Sequence, residues 1–350
     1  MNKLLSVIIP VYDVEDYINK CLDSLLVPTS QLELLDVVVV NDGTPDRSAD
    51  MAREYEKKYP GSFRVIDQEN RGHGGAWNHG TELAKGKYLF YLDSDDWFNT
   101  EDFSKLISYL EHCDVDMVLL DRKKYYAQKD SYEDIVLVNM VPDQIYDANT
   151  YDWLGSGNGS NITYAHNTVY RTSMMQKYLP LFCEHVMYDD IILQVMPIMA
   201  AERFIYTKLN VYHYLIGRSG QSYAPAVRAK RSEDVTTVLK QVERFIKDNR
   251  VAVPEGTTRR AWADFLYSAF CTYHYSELSM FSYNVAKKRL MEWDSYVREN
   301  YPDIELSEAV RFYRSSSFPV YYAWFKTYWF LHRCSRHFVR KWIRNHDVSF

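Results

Sequence analysis

The feature that most constrains this chain is an alternation, over about its first 120 residues, of short β-branched runs with stretches of helical period. Leu4–Val11 and Leu35–Val40 are apolar runs closed by Asp or by Asn41-Asp42-Gly43, a pattern that reads as strands buried on both faces. Val14–Val27 sets Val14, Ile18, Leu22 and Leu25 at helical spacing. Asp46–Tyr59 and Gly72–Lys85 read as further helices, and Ser62–Asp67, Lys87–Leu92 and Asp116–Leu120 as further strands. Strands alternating with helices predict an α/β fold with a mainly parallel sheet and helices on both faces. Ligands of such sheets bind beyond the carboxyl ends of the strands. Tyr12-Asp13, Asp42-Gly43 and Asp93–Asp96 all follow strands, so topology alone brings three acidic clusters to one edge.

Further along, residues 121–185 are mixed and include a Gly/Ser/Asn loop at 155–161. Asp189–Ala201 reads as a helix, Arg203–Tyr206 and Val211–Ile216 as strands. Beyond Pro225 the pattern changes to long helices, about 226–249, 257–281 and 284–300, which places a domain boundary there. A length of 350 residues suits a main domain with an appendage. With 47% hydrophobic and 25% charged residues, disordered and collagenous classes are excluded. The net charge of −6 argues against a general nucleic-acid binder, which needs a basic field. Basic charge is concentrated in the tail, where eight Lys/Arg face only Asp347 from residue 309 onward. The five cysteines are far apart and form no CxxC, so reduced thiols in a cytoplasmic protein are expected. The apolar start is closed by Pro10 without a cleavage site, and no stretch is long enough to span a bilayer.

Asp93-Ser94-Asp95 is the most informative triplet. Residues i and i+2 of a strand share a side, so both carboxylates can face one site. Hard oxygen ligands of this kind suit Mg²⁺ or Mn²⁺ holding a diphosphate. The same residues would equally serve as acidic caps of the following helix. For Asp189-Asp190, likewise, the residues alone leave open a helix N-terminal charge and a catalytic pair.

Read together, the motifs resemble a family 2 glycosyltransferase with a GT-A fold. They are Ser6–Tyr12; Val39–Thr44 with Asp46 and Ser48; Asn70-x-Gly72 with Ala76, Asn78 and Gly80; and Phe90–Trp97. Thr168–Arg171, Tyr188-Asp189-Asp190, Tyr212-His213-Tyr214 and Arg218-Ser219 follow in the family's order, covering residues 4 to about 222. The resemblance implies a catalytic domain over 1–224, with a nucleotide-binding part (1–97) and an acceptor-side part (98–224), followed by a helical domain over 225–350.

The resemblance also implies roles. Pro10, Val11, Tyr12, Asp13 and Asp42 would hold the base and ribose, with Asn70, Gly72, Asn78, Asp93 and Ser94 at the nucleotide sugar. Asp95, with Asp93 and His213, would hold Mn²⁺ or Mg²⁺. Arg218 and Ser219 would close on the diphosphate, a guanidinium matching phosphate oxygens in pairs. Asp190 would be the general base of an inverting transfer, with Asp189 beside it. Asp13 stands where the family more often has Asn, and Trp77 where it usually has Arg. Gly72-His73-Gly74-Gly75 lacks the lysine of a phosphate-binding loop and reads as a flexible helix start. Gln241–Phe245 resembles the QxxRW motif of processive synthases, but reads as helix surface in an enzyme adding single sugars.

The expected donor is a UDP-sugar, and the expected acceptor a glycan or lipid-linked saccharide in cell-surface polysaccharide synthesis. The aromatic and basic stretch 318–345 reads as an interfacial helix, giving peripheral contact with the inner face of the cell membrane. A homo-oligomer is compatible with this reading. The rival readings are a sugar nucleotidyltransferase, which would want a basic Gly-rich loop absent from residues 10–16, and a non-catalytic glycan-binding protein.

Overall fold

The computed structural model describes residues 3–153, 156, 163–218, 227, 230–248, 281–300, 308–324 and 326–327. Ser219, residues 221–222, the loop 155–161 apart from Ser156, the 257–281 stretch apart from Phe281, and the tail beyond 327 lie outside them. Cys271 and Cys334 do too.

One sheet organises the first part of the chain. Its strands are β1 (Leu5–Val11), β2 (Leu35–Asn41), β3 (Phe63–Asp67), β4 (Tyr88–Tyr91), β5 (Trp97–Phe98), β6 (Met117–Tyr126), β7 (Ser131–Ile135), β8 (Ile145–Asp147), β9 (Thr168–Arg171) and β10 (Arg203–Ile216). The order is β3-β2-β1-β4-β9-β6-β10-β5, with β7 on β6 and β8 on β10. β3, β2, β1 and β4 run parallel, as do β6 and β10, while β9 is antiparallel to both β4 and β6. The βαβ pattern thus accounts for the first half of the sheet. The second half is mixed.

The helices between these strands are α1 (Ile18–Asp23), α2 (Thr29–Leu32), α3 (Ser48–Lys58), α4 (Gly72–Leu83) and α5 (Thr100–Leu110). β1 shows why both faces are covered. Leu5, Val7, Ile9 and Val11 pack with Ile18, Leu22, Leu25, Phe103, Leu106 and Leu110 in the main core cluster. Ile8 points the other way, towards Gly80 of α4, where an added Cβ would lie 2.3 Å from its Cγ2. Fully buried aliphatic side chains of this kind each contribute about 1.5–3 kcal/mol. α5 begins where Asn99 accepts a hydrogen bond from the Asp102 N–H, with Glu101 and Asp102 in its first turn.

The chain divides into two compact units. One is Met1–Ala224 with Glu233–Leu266, and the other Pro225–Ser232 with Tyr267–Phe350. The helix Ser232–Lys247 therefore counts, from Glu233, with the sheet-bearing unit. In the second unit, Tyr283–Asn300 and Glu308–Ser315 are helices. There Tyr321 is buried, its ring 5.1 Å from Tyr313, and Tyr322 donates to the Phe281 carbonyl. Among the described residues, no helix is long and apolar enough to cross a membrane.

Candidate functional site

The site is assembled at the carboxyl ends of β1, β2 and β4. After β1 the chain turns through Asp13, which takes a left-handed conformation (φ 55°) that Asp tolerates better than most residues. Pro10 and Val11 are buried in the strand, and the Tyr12 ring is exposed. The Asp13 N–H donates to Thr44 Oγ1, and Asp46 accepts from Thr44, the Glu15 N–H and Ser48. These residues tie the loop after β1 to the loop after β2. Asp42 is buried and accepts two bonds at one oxygen, from Gln68 Nε2 and the Arg71 N–H, both at 2.7 Å.

After β4, three carboxylates crowd one turn. Asp93 accepts from His73 Nε2 at 3.0 Å on one oxygen and lies 3.3 Å from His166 Nε2 on the other. Burial works against its charge, but these bonds and the charge of both rings hold it well below the ordinary carboxylate range. Asp95 is half-buried and raised, first by desolvation and then by the negative charge of Asp93; its counter-ion is Arg218 at 3.0 Å. Asp96 is raised for the same reasons, and accepts from the Tyr212 hydroxyl and the Leu215 N–H at 2.7 Å each. Ser94 is buried between them.

The acceptor-side carboxylates come from a distant stretch. Tyr188 takes a left-handed conformation and opens a 3₁₀ turn, Asp189–Gln194. Asp189 is buried and both its oxygens lie 3.1 Å from His73 Nδ1. The Asp190 carboxylate makes no hydrogen bond among the described residues. Burial, followed by the charge of Asp189, pushes it up to about 6, with His166 and His73 opposing. His73, which gives both ring nitrogens to carboxylates, is raised well above an ordinary imidazole because Asp189 and Asp93 outweigh its burial.

Four expected residues are placed as follows. His213 lies on the face of β10 opposite Tyr212, against Trp97 and Tyr132, with ring centroids at 5.7 and 5.4 Å. Side chains alternate along a strand, so with Tyr212 turned to Asp96, His213 must turn away. Burial, with Lys123 and Lys20 nearby, lowers it to about 4. Asn78, expected at the donor, is buried: Nδ2 donates to the Phe182 carbonyl, and Oδ1 accepts the Leu181 and Phe182 N–H groups. Asn70 is exposed, while Gly72 has φ 75° and sits where an added Cβ would meet the His185 backbone at 2.9 Å.

His73 and His166 went unread in the sequence. A lone His among glycines at a helix start was the only trace of the first, and His166 left none. Asp93, Asp96 and His166 each offer a ligand atom within 4.8 Å of the others. Two carboxylates of one turn, Asp93 and Asp96, with the His166 nitrogen beside them, make a donor set that fits a hard divalent cation.

Comparison with known proteins gives consistent likenesses. Residues 6–179 match the Glycosyl transferase family 2 model. Uncharacterized glycosyltransferase EpsJ of Bacillus subtilis (strain 168) is 41% identical over 118 residues, 34% of this chain and 33% of that protein. Putative glycosyltransferase EpsH of the same organism is 28% identical over 250 residues, 70% of each chain. The chain thus spans one third of the first relative's length and about two thirds of the second's. The crystal structure of S. aureus TarS 1-349 in complex with UDP superposes with a TM-score of 0.57 at 18% identity, covering 93% of this chain and 91% of that one.

Proposed function

Because the chain belongs to glycosyl transferase family 2 and has its GT-A fold, we propose that it is an inverting, metal-dependent enzyme transferring one sugar from a nucleoside diphosphate donor. The donor is a UDP-sugar and the acceptor a glycan or lipid-linked saccharide of a cell-surface polysaccharide. The observation that carries this reading is the convergence on one imidazole of Asp93, from a strand end, and Asp189, beside the uncommitted Asp190.

In this reading the exposed Tyr12 ring stacks on the base, and Asp42 and Asp13 accept from base and ribose. Asp93 and His166, with Asp96 in reach and Asp95 on the same turn, would hold Mn²⁺ or Mg²⁺. When bound, such an ion would supply neutralisation of charge on the diphosphate leaving group. Arg218, paired with Asp95, would exchange that carboxylate for a phosphate oxygen of the donor. Asp190 takes the acceptor hydroxyl proton as that oxygen bonds to the anomeric carbon; the bond from that carbon to the diphosphate breaks, its electron pair leaving with the nucleotide. A carboxylate pushed up to about 6 is mostly ionised at neutral pH yet basic enough to accept that proton. His73 and Tyr188 fix the turn that aims it.

The test is release of nucleotide from a panel of UDP- and GDP-sugars with Mn²⁺, with and without EDTA. We expect release from one donor class, its loss in EDTA, and loss of turnover in Asp190→Asn with nucleotide affinity kept. Asp95→Asn should weaken nucleotide binding in Mn²⁺. Turnover in Asp190→Asn equal to wild type would remove the assigned base, and full activity in EDTA would remove the metal.

A further inference from the structure

The ring of His73 hydrogen-bonds to both sets of carboxylates. Its Nε2 is 3.0 Å from Asp93 Oδ1, and its Nδ1 is 3.1 Å from each oxygen of Asp189. Carboxylates only accept, so each ring nitrogen donates, and one planar group fixes two carboxylates that lie 96 residues apart in the chain, at 93 and 189. The ring itself is held. It packs on Trp77, one helical turn along α4, with centroids 4.1 Å apart, and Trp77 is locked between Tyr91 and Phe182 at 4.5 and 5.0 Å. Trp77 is fully buried, whereas the His73 side chain is 36% exposed at the site.

We propose that His73 is a positioning residue that sets the donor-side Asp93 and the acceptor-side Asp189–Asp190 pair at a fixed separation through one ring. The inference rests on the reading of Asp93 as donor-side and Asp190 as base, and adds a coupling element between them. Two bonds from two atoms of one ring mean that the halves can be cut separately. An Asn amide nitrogen can occupy the place of Nδ1 and a Gln amide nitrogen that of Nε2. His73→Asn therefore keeps the tie to Asp189 and loses that to Asp93. His73→Gln does the reverse.

The experiment measures binding of UDP and of GDP in Mn²⁺ by calorimetry, and kcat for the donor the panel identifies, on the full chain with His73→Asn, His73→Gln and His73→Ala. Loss of a hydrogen bond between charged groups is worth about tenfold or more. We expect His73→Asn to bind nucleotide about tenfold more weakly. His73→Gln should bind within about twofold of wild type while losing at least about tenfold in kcat. His73→Ala should lose both. A purely structural role would lower both quantities alike in Asn and Gln, and that outcome overturns the proposal; so do wild-type values in all three variants. Melting temperatures of the variants identify any that fail to fold, and the Asn and Gln pair is compared directly. Wild-type protein that binds neither nucleotide would overturn the parent reading, whereas wild-type binding with no Asn–Gln split overturns the bridge alone.

Discussion

Gly74 gives a sharp test of how the two halves of the site are joined. A Cβ built at this position would lie 2.2 Å from the Cys183 carbonyl oxygen, 2.6 Å from Asp189 Oδ2 and 2.9 Å from Phe182 Cβ. The nearest atom is backbone and α4 is seated on β1 where Gly80 meets Ile8, so relief requires the 182–189 segment to move away by roughly 1 Å to restore an ordinary carbon–oxygen contact. Overpacking of this kind costs about 1–3 kcal/mol. At ~2 kcal/mol the melting temperature of a unit this size falls by about 4–8 °C. A displacement of 1 Å in a catalytic group can cost about a hundredfold in rate. Gly74→Ala is therefore expected to lose about two orders of magnitude in kcat, with UDP affinity in Mn²⁺ changed far less. Gly61→Ala is the control, because Gly61 has φ 85° with nothing within 4 Å of its built Cβ. That variant should lose ~1 kcal/mol through backbone strain alone and keep its turnover. Melting curves and nucleotide-release kinetics on the same preparations read both quantities. Gly74→Ala with wild-type kcat, or with a loss no larger than that of Gly61→Ala, would refute the close approach as a determinant of base position.

Three further outcomes follow from the same geometry. Turnover should rise with pH through an inflection near 6 as Asp190 loses its proton, and a rate unchanged between pH 5 and 8 would contradict the base assignment. Since its folded value lies above the ordinary 3.8, the folded chain binds more protons between the two values and stability from this group falls as pH rises through them; Asp190→Asn should be the more stable protein at pH 7, as urea unfolding would show. Asn78→Ala strands the Leu181 and Phe182 N–H groups without their acceptor, and should destabilise by about 2–4 kcal/mol in urea; a change under about 0.5 kcal/mol would mean the tether is dispensable.

The first half of the sheet was readable because β1, β2 and β4 are buried on both faces and their apolar runs are bounded by turn residues. The second half was not. β7 and β8 are short and largely exposed, so they carry little hydrophobic signal, and Arg203–Ile216 is one strand whose irregular register between Thr207 and Tyr212 interrupts the pattern. The expected helix over Asp189–Ala201 is a 3₁₀ turn and a short helix, Met196–Ala200, because Pro197 disfavours continuation through the preceding residue. Of the site, the strand-end acids were legible because topology alone sends them to one edge. The histidines were not, since no spacing rule relates residue 73 or 166 to Asp93.

The geometry also changes what the small residues of α4 are for. Its start runs alongside the 181–189 segment, and nearly every position there meets it. Arg71 pairs with Glu184 and accepts the His185 N–H at its carbonyl. Gly72 and Gly74 leave no room for a side chain beside His185 and Cys183, His73 binds Asp189, and Asn78 holds Leu181 and Phe182. Gly72 and Asn78, which the resemblance would send to the nucleotide, and Gly74, expected only to loosen the helix start, thus all serve the approach of one peptide segment to another. The same helix start donates the Arg71 N–H to Asp42. One turn of backbone therefore touches a carboxylate after β2, a carboxylate after β4 and the turn that bears Asp190, so a shift of α4 against the sheet would disturb nucleotide binding and proton transfer together.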